Sequence, residues 1–171
     1  LAAGSRSSAT FRGAVRMNVL VLGAGMYVTG RGTPSDGTVL PSLAALAREP
    51  LVKRVVVAAR DASNAQLIAD ATARINQRLE SGLNSAFEPL AGRDLEAEVE
   101  ALCSQQPFDA AIVAVPDDLH APALRGLMRR CVPCLVVKPF VPTVREGQEL
   151  LELQRTHNVY AAVEFHKRLD E

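Results

Sequence analysis

The sequence predicts a doubly wound α/β fold built on one parallel sheet. Three observations carry that prediction. Short apolar runs without polar alternation recur along the chain, and such runs read as strands buried on both faces. Stretches with apolar residues at i, i+3/i+4 separate them, so strands alternate with amphipathic helices. The first run ends in Gly23-Ala24-Gly25, a turn that lets backbone approach a bound phosphate closely.

Each element has its own signal. Val19–Leu22 is the first strand, and the Gly/Thr/Pro/Ser/Asp-rich segment Thr29–Gly37 is a loop. Thr38 reads as the cap of a helix through Arg48. Val52–Ala59 is the second strand. A long helix over Ser63–Leu79 follows, with Leu67, Ile68, Ala71, Ile75 and Leu79 on one stripe and Ser81-Gly82 as its stop. Ala86–Leu90 is the third strand, and Asp94 opens a helix to about Ser104. Ala110–Val115 is the fourth strand, stopped by Pro116; Asp117 or Asp118 then caps a helix to Arg130. Leu135–Val137, a Thr143-capped helix to about His157, and Tyr160–Val163 complete the pattern. Short connections and strict alternation predict strand order 3-2-1-4-5-6, with a ligand where the order reverses, at the carboxyl ends of strands 1 and 4.

Length and composition bound the rest. The 171 residues suffice for one well-buried domain, and with 4% aromatics and no Trp its core is aliphatic. Lys+Arg and Asp+Glu are both 19, so the formal charge is zero, which argues against nucleic acid as the main partner. No apolar stretch approaches the roughly 20 residues that span a bilayer. Residues 1–16 are Ala/Ser/Gly-rich with Arg6, Arg12 and Arg16 and no acid, a composition like a transit peptide. The preferred reading is a poorly ordered upstream extension, with the domain occupying 17–165 and a linker beginning at 166–171. An odd number of cysteines, Cys103, Cys131 and Cys134, points to a reducing, cytoplasmic setting. Cys131-Val-Pro-Cys134 matches C-x-x-C but lies between a helix end and a strand. Redox motifs open helices, so these thiols read as structural filler.

The strand ends collect the candidate site. Gly23 and Gly25, with Met26 and Tyr27 after them, form the first turn of a G-x-G-x-x-G dinucleotide fingerprint whose third glycine is replaced by Val28. Val28 predicts crowding of the usual close helix–strand packing. Either a short helical turn starts at Met26 and breaks, or the loop is enlarged and Arg31 joins in binding a pyrophosphate. Gly25–Gly30 also fits G-x-x-x-x-G, but Arg31-Gly32 follows where a triphosphate loop needs Lys-Ser/Thr. Strand 2 delivers Ala59-Arg60-Asp61, and strand 4 delivers Val115-Pro116 and then His120. Strand 5 delivers Lys138-Pro139, and strand 6 delivers Glu164, His166 and Arg168. Topology alone brings Lys138, His120 and His166 to one rim. His120 is either a contact to the cofactor or substrate or an exposed helix residue, and His157 complements a helix dipole.

A strand ending in V-P-D-x-L-H, a helix, a strand ending in K-P, a Thr-capped helix and a strand running into H-K-R together resemble the Gfo/Idh/MocA oxidoreductases. The resemblance covers 17–168 and is strongest over 109–168. It implies a Rossmann domain binding NAD(H) or NADP(H), and hydride transfer on a sugar, polyol or related alcohol or ketone. It assigns Gly23, Gly25, Met26, Tyr27, Arg60, Val115, Pro116, His120 and Lys138 to cofactor binding, with Lys138 also catalytic. A lysine there stabilises the alkoxide that develops as hydride moves. The family motif is Glu-Lys-Pro, and here Val137 replaces the glutamate. The family also implies a second α+β domain after the sixth strand, which carries the rest of the substrate site and often an oligomer interface. These 171 residues are therefore expected to bind cofactor with little or no turnover.

Cofactor choice follows from charge. An acid at the end of strand 2 accepts the ribose 2′-OH of NAD. Here Ala59 holds that position and Arg60 follows, which favours NADP(H), since a guanidinium binds a phosphate bidentately. Asp61 keeps NAD(H) as the alternative. The other functional class consistent with the chain is a non-catalytic Rossmann domain that serves as a nucleotide sensor or packs against a partner.

Overall fold

In the computed structural model, residues 16–165 are described; the expectations for residues 1–15, His166 and Arg168 lie outside them. Strand β1 (Met17–Leu22) is central because its side chains are apolar on both faces. Alternate residues feed two cores. Val19 and Val21 pack with β2 (Val52–Ala59) beneath the helices α2 (Val39–Arg48) and α3 (Asn64–Leu79). Leu20 and Leu22 turn to the opposite face, against α4 (Leu95–Gln105), α5 (His120–Arg129) and α6 (Val144–His157). β3 (Ser85–Pro89), β4 (Ala110–Val113), β5 (Cys134–Val137) and β6 (Ala161–Glu164) complete a six-stranded sheet in the order β3-β2-β1-β4-β5-β6. Every pairing is parallel. The predicted doubly wound order is the observed one.

Local signals end the helices at or near the expected places. Asp94 caps α4 by accepting from the Ala97 N–H at 3.1 Å. Thr143 and Glu146 form a reciprocal capping box at the start of α6. Other signals read differently. Thr38 precedes α2 but makes no side-chain cap; its own N–H donates to the Tyr27 carbonyl at 2.8 Å. Neither Asp117 nor Asp118 caps α5, because a 3₁₀ turn over Asp117–Leu119 intervenes and α5 starts at His120. Helix α3 ends at Leu79 as expected, but its left-handed cap is Glu80 and not Ser81-Gly82. β4 stops at Val113, two residues short of the predicted Val115.

The glycine-rich loop resolves the problem posed by Val28. Helix α1 is a single turn, Met26–Thr29, closed by left-handed Gly30. Val28 is fully buried in the α2/α3 core. A one-turn helix does not continue along the sheet, so the β-branched side chain finds space where a long helix needs glycine. The chain then makes an enlarged loop before α2.

The three cysteines are free. Cys131 is exposed in a left-handed turn (φ 54°) that leads to β5, not at a helix start. Burial pushes the Cys103 thiol up to about 11 and the Cys134 thiol up to about 12. An unfolded thiol ionises near its ordinary value while the buried one stays protonated, so the unfolded state loses protons first as pH rises. Stability is therefore full below about pH 9 and falls between pH 9 and 11, by up to about 1.4 kcal/mol per pH unit for each thiol. Urea midpoints measured at pH 8, 9.5 and 10.5 are expected to fall less steeply for Cys134→Ala than for the unsubstituted chain; parallel slopes would refute the assignment.

Candidate cofactor cleft

The cleft lies where the sheet changes winding direction. Gly23 continues β1 by donating to the Ala58 carbonyl at 2.9 Å. Its φ of 110° suits glycine, and a Cβ there would collide with the carbonyl oxygen of Ala114 at the end of β4. Gly25 is different: a Cβ would meet nothing within 4 Å, so its open side faces free space. Between these strand ends runs a cleft of about 330 Å³. That volume is within the range of small-ligand pockets.

Of the residues expected at the site, Gly23, Gly25, Arg60, Val115 and Pro116 line this cleft. Met26 is exposed beside it, on the first turn of α1. Tyr27 turns toward the far edge of the sheet, where its hydroxyl donates to Glu164 Oε2 at 2.9 Å. Partial burial, and then the neighbouring Glu164 carboxylate, raise the Tyr27 hydroxyl above its ordinary value. Glu164 pairs in register with Val137, so this carboxylate stands one strand away from the position where the family motif has glutamate. Lys138 follows β5, is exposed, and precedes a cis peptide bond to Pro139.

His120 has neither of the two placements expected for it. It is fully buried. Its Nε2 faces the Val115 carbonyl at 3.0 Å, and its Nδ1 faces the carbonyls of Pro139 at 2.8 Å and Phe140 at 3.2 Å. The ring thus ties the end of β4 to the segment just after Lys138. It cannot reach the cleft, because Val115 and the Lys138–Phe140 segment enclose it.

The cleft also uses residues that the sequence reading passed over. Leu90 and Gly92 come from the turn after β3, Leu95 from the start of α4, Leu119 from the 3₁₀ turn, and Asn64 from the start of α3. Strand 3 ends on the same rim as the others, so the rule that located Arg60 also points to Leu90–Gly92. Gly92 has φ 74°, and a Cβ there would strike the Arg60 side chain at Nε, Cδ and Cγ. Arg60 therefore lies across Gly92 at the wall of the cleft. Glu98 holds that turn by accepting from the N–H groups of Gly92 and Arg93, both at 3.0 Å. Asp61 turns its carboxylate back into its own turn, where Oδ1 accepts from the Ser63 N–H at 2.9 Å. That hydrogen bond, more than any other cause, holds the Asp61 carboxyl below its ordinary value.

The family model described as the oxidoreductase family with an NAD-binding Rossmann fold matches residues 17–165. The chain belongs to the Gfo/Idh/MocA oxidoreductases. Solved structures of similar fold include three enzymes. The KijD10 3-ketoreductase of Actinomadura kijaniata, solved with TDP-benzene and NADP, has a TM-score of 0.60 at 21% identity. The WlbA dehydrogenase of Chromobacterium violaceum, solved with NADH and UDP-GlcNAcA, has a TM-score of 0.65 at 13% identity. The UDP-N-acetylglucosamine 3-dehydrogenase GnnA of Acidithiobacillus ferrooxidans has a TM-score of 0.56 at 18% identity. The matches cover 88%, 91% and 91% of this chain but only 39%, 36% and 40% of those chains. No curated protein matches the sequence. Among the described residues of this Gfo/Idh/MocA domain, no helix is long and apolar enough to cross a membrane, and no cluster of three or more His, Cys, Asp or Glu could hold a metal ion.

The ring bonds of His120 make a specific demand on stability. His120→Leu removes the ring that bridges the Val115 carbonyl to those of Pro139 and Phe140, and a polar group left unpaired inside the fold costs about 1–3 kcal/mol. A drop of that size in unfolding free energy, measured by urea denaturation, is expected. An unchanged midpoint would mean that the ring bonds carry no net stability.

Proposed function

We propose that this chain is the NADP(H)-binding domain of an oxidoreductase acting on a sugar, polyol or related alcohol or ketone. The observation that carries the cofactor choice is the end of β2. No carboxylate holds the ribose-directed position at the end of β2, where Ala59 stands; Asp61 lines the cleft two residues later, with Oδ1 engaged by the Ser63 N–H of its own turn. The guanidinium of Arg60 instead stands at the cleft wall, against Gly92. A 2′-phosphate finds at this wall a guanidinium with paired N–H donors, whereas the one carboxylate nearby, Asp61, already has an oxygen engaged in its own turn.

The residues present fit such a cofactor. The glycine turn is open at Gly25, as close approach of a pyrophosphate requires, and the lining of Leu90, Leu95, Val115 and Leu119 suits the flat faces of an adenine. Gly23, Gly25, Arg60, Val115 and Pro116 would hold the adenosine and diphosphate portions, with Met26 and Tyr27 on the flank of the same turn. When bound, the cofactor supplies or accepts the hydride. Lys138 offers a cation at the strand-5 end, where an alkoxide charge develops, and its ammonium can give a proton to that oxygen. His120 acts on this site only through the backbone that carries Lys138. The substrate class is supported by the family and by relatives solved with nucleotide-linked ligands. Because the chain spans well under half of those relatives, substrate selection and oligomer contacts are assigned to sequence beyond this domain.

Titration of the purified chain with NADPH, NADH and ATP, followed by thermal shift, tests the reading. NADPH is expected to stabilise most, and Arg60→Ala to weaken NADPH binding roughly tenfold while leaving NADH within about twofold. Stabilisation by ATP alone, or equal binding of NADPH and NADH, would overturn it.

A further inference from the structure

We propose that Arg31 is a second ligand of the 2′-phosphate, completing with Arg60 a two-arginine subsite at the end of β2. The inference rests on the NADP(H) reading above. Arg31 belongs to the glycine-rich loop, where sequence order alone suggests a pyrophosphate contact. The fold turns it elsewhere. Left-handed Gly30 ends α1 after one turn and reverses the chain. The loop then folds back against α3, and Arg31 Nη1 donates to Asn64 Oδ1 at 3.3 Å.

Asn64 fixes where that guanidinium stands. It is buried, lines the cofactor cleft, and sits on the first turn of α3, directly after the Arg60-Asp61 corner. Its amide donates to the Asp61 carbonyl at 2.9 Å, so the side chain is locked to the corner itself. The charge of Arg31 is felt there, since it contributes to holding Asp61 ionised. Arg31 lines the neighbouring groove beside Arg74 and Arg78 and reaches the cleft wall through Asn64, while Arg60 lies in the cleft itself, along Gly92. A guanidinium carries five N–H donors, and Arg31 uses its side chain for one hydrogen bond among the described residues.

The loop that delivers Arg31 is braced. Asp36 is buried beneath it and pairs with Arg74 at 2.6 Å and with Arg78 at 2.5 Å, both on α3. Thr33 donates to the Gly30 carbonyl at 2.9 Å. Gly37 packs so tightly on Gly30 and on the Met26 and Tyr27 carbonyls that a Cβ has no room. Arg74 and Arg78 of α3 pair with Asp36, and the loop's own cation, Arg31, is the one bonded to Asn64 at the β2–α3 corner.

The test compares the unsubstituted chain with Arg31→Ala and Arg31→Lys, using calorimetric Kd values for NADPH, NADH, 2′,5′-ADP and 5′-ADP. Arg31→Ala is expected to weaken NADPH and 2′,5′-ADP about tenfold, leave NADH and 5′-ADP within about twofold, and keep the melting temperature of the free protein. Arg31→Lys is expected to recover part of the loss, as a point charge without the bidentate fork. Equal weakening of NADPH and NADH would assign Arg31 to the pyrophosphate and overturn the inference. So would full retention of NADPH affinity in Arg31→Ala. If the unsubstituted chain itself prefers NADPH, such a result leaves the cofactor reading standing. If it binds NADPH and NADH equally, the cofactor reading fails first and takes this subsite with it.

Discussion

The structure depends on the contact between Gly23 and Ala114. Here the ends of β1 and β4 come together so closely that no side chain fits between them. The sheet winds outward from this pair in both directions, so α2 and α3 leave toward one face while α4, α5 and α6 cover the other. Helices that diverge from adjacent strands cannot also fill the space above them, and that space is the cleft. A larger residue at position 23 would push the strand ends apart and close the turn that Gly25 leaves open. The position of every other candidate group is set relative to this point.

Around the cleft, single buried or half-buried side chains hold each piece of the rim. Asp36 ties the glycine-rich loop to α3, Glu98 gathers the N–H groups of the turn after β3, and His120 joins the end of β4 to the Lys138–Phe140 segment. Loops lack the repeated hydrogen bonds of a ladder, so a few charge-assisted or buried polar contacts decide their shape. Each tether also has a consequence for ligand chemistry. Asp36 pairs with both Arg74 and Arg78, while Arg31 reaches Asn64 at the β2–α3 corner. Glu98 shapes the glycine turn on which Arg60 lies. His120 determines where Lys138 is offered.

Much of this was legible in the sequence. The apolar run Val55-Val56-Val57, the strand stop at Pro116 and the Thr143 cap each speak through local chemistry, and together they imply the strand order. The same topology correctly brings Gly23, Gly25, Arg60, Val115 and Pro116 to one cleft. What stayed hidden depends on partners distant in sequence. Nothing near His120 says that Pro139 and Phe140 will turn their carbonyls toward it, 19 and 20 residues later. Tyr27 and Glu164 are 137 residues apart. Thr38 has the right chemistry for a cap, but its backbone lies in the right-handed helical region (φ −117°, ψ −43°) and not in the extended one from which a hydroxyl reaches the first-turn N–H groups.

By itself the sequence determined the architecture and the end of the sheet at which the cleft lies. Those depend on residue type, periodicity and position along a strand, which local physics converts directly into structure. Tertiary structure alone decided the direction in which charges point. Arg31 turns to the β2–α3 corner because Gly30 reverses the chain and Asp36 anchors the loop. Asp61 is bent back on its own turn by the Ser63 N–H. His120 is held in the core between the Val115 carbonyl on one side and the Pro139 and Phe140 carbonyls on the other. Charged and polar side chains have several partners within reach of their rotamers, and only the packed fold selects among them.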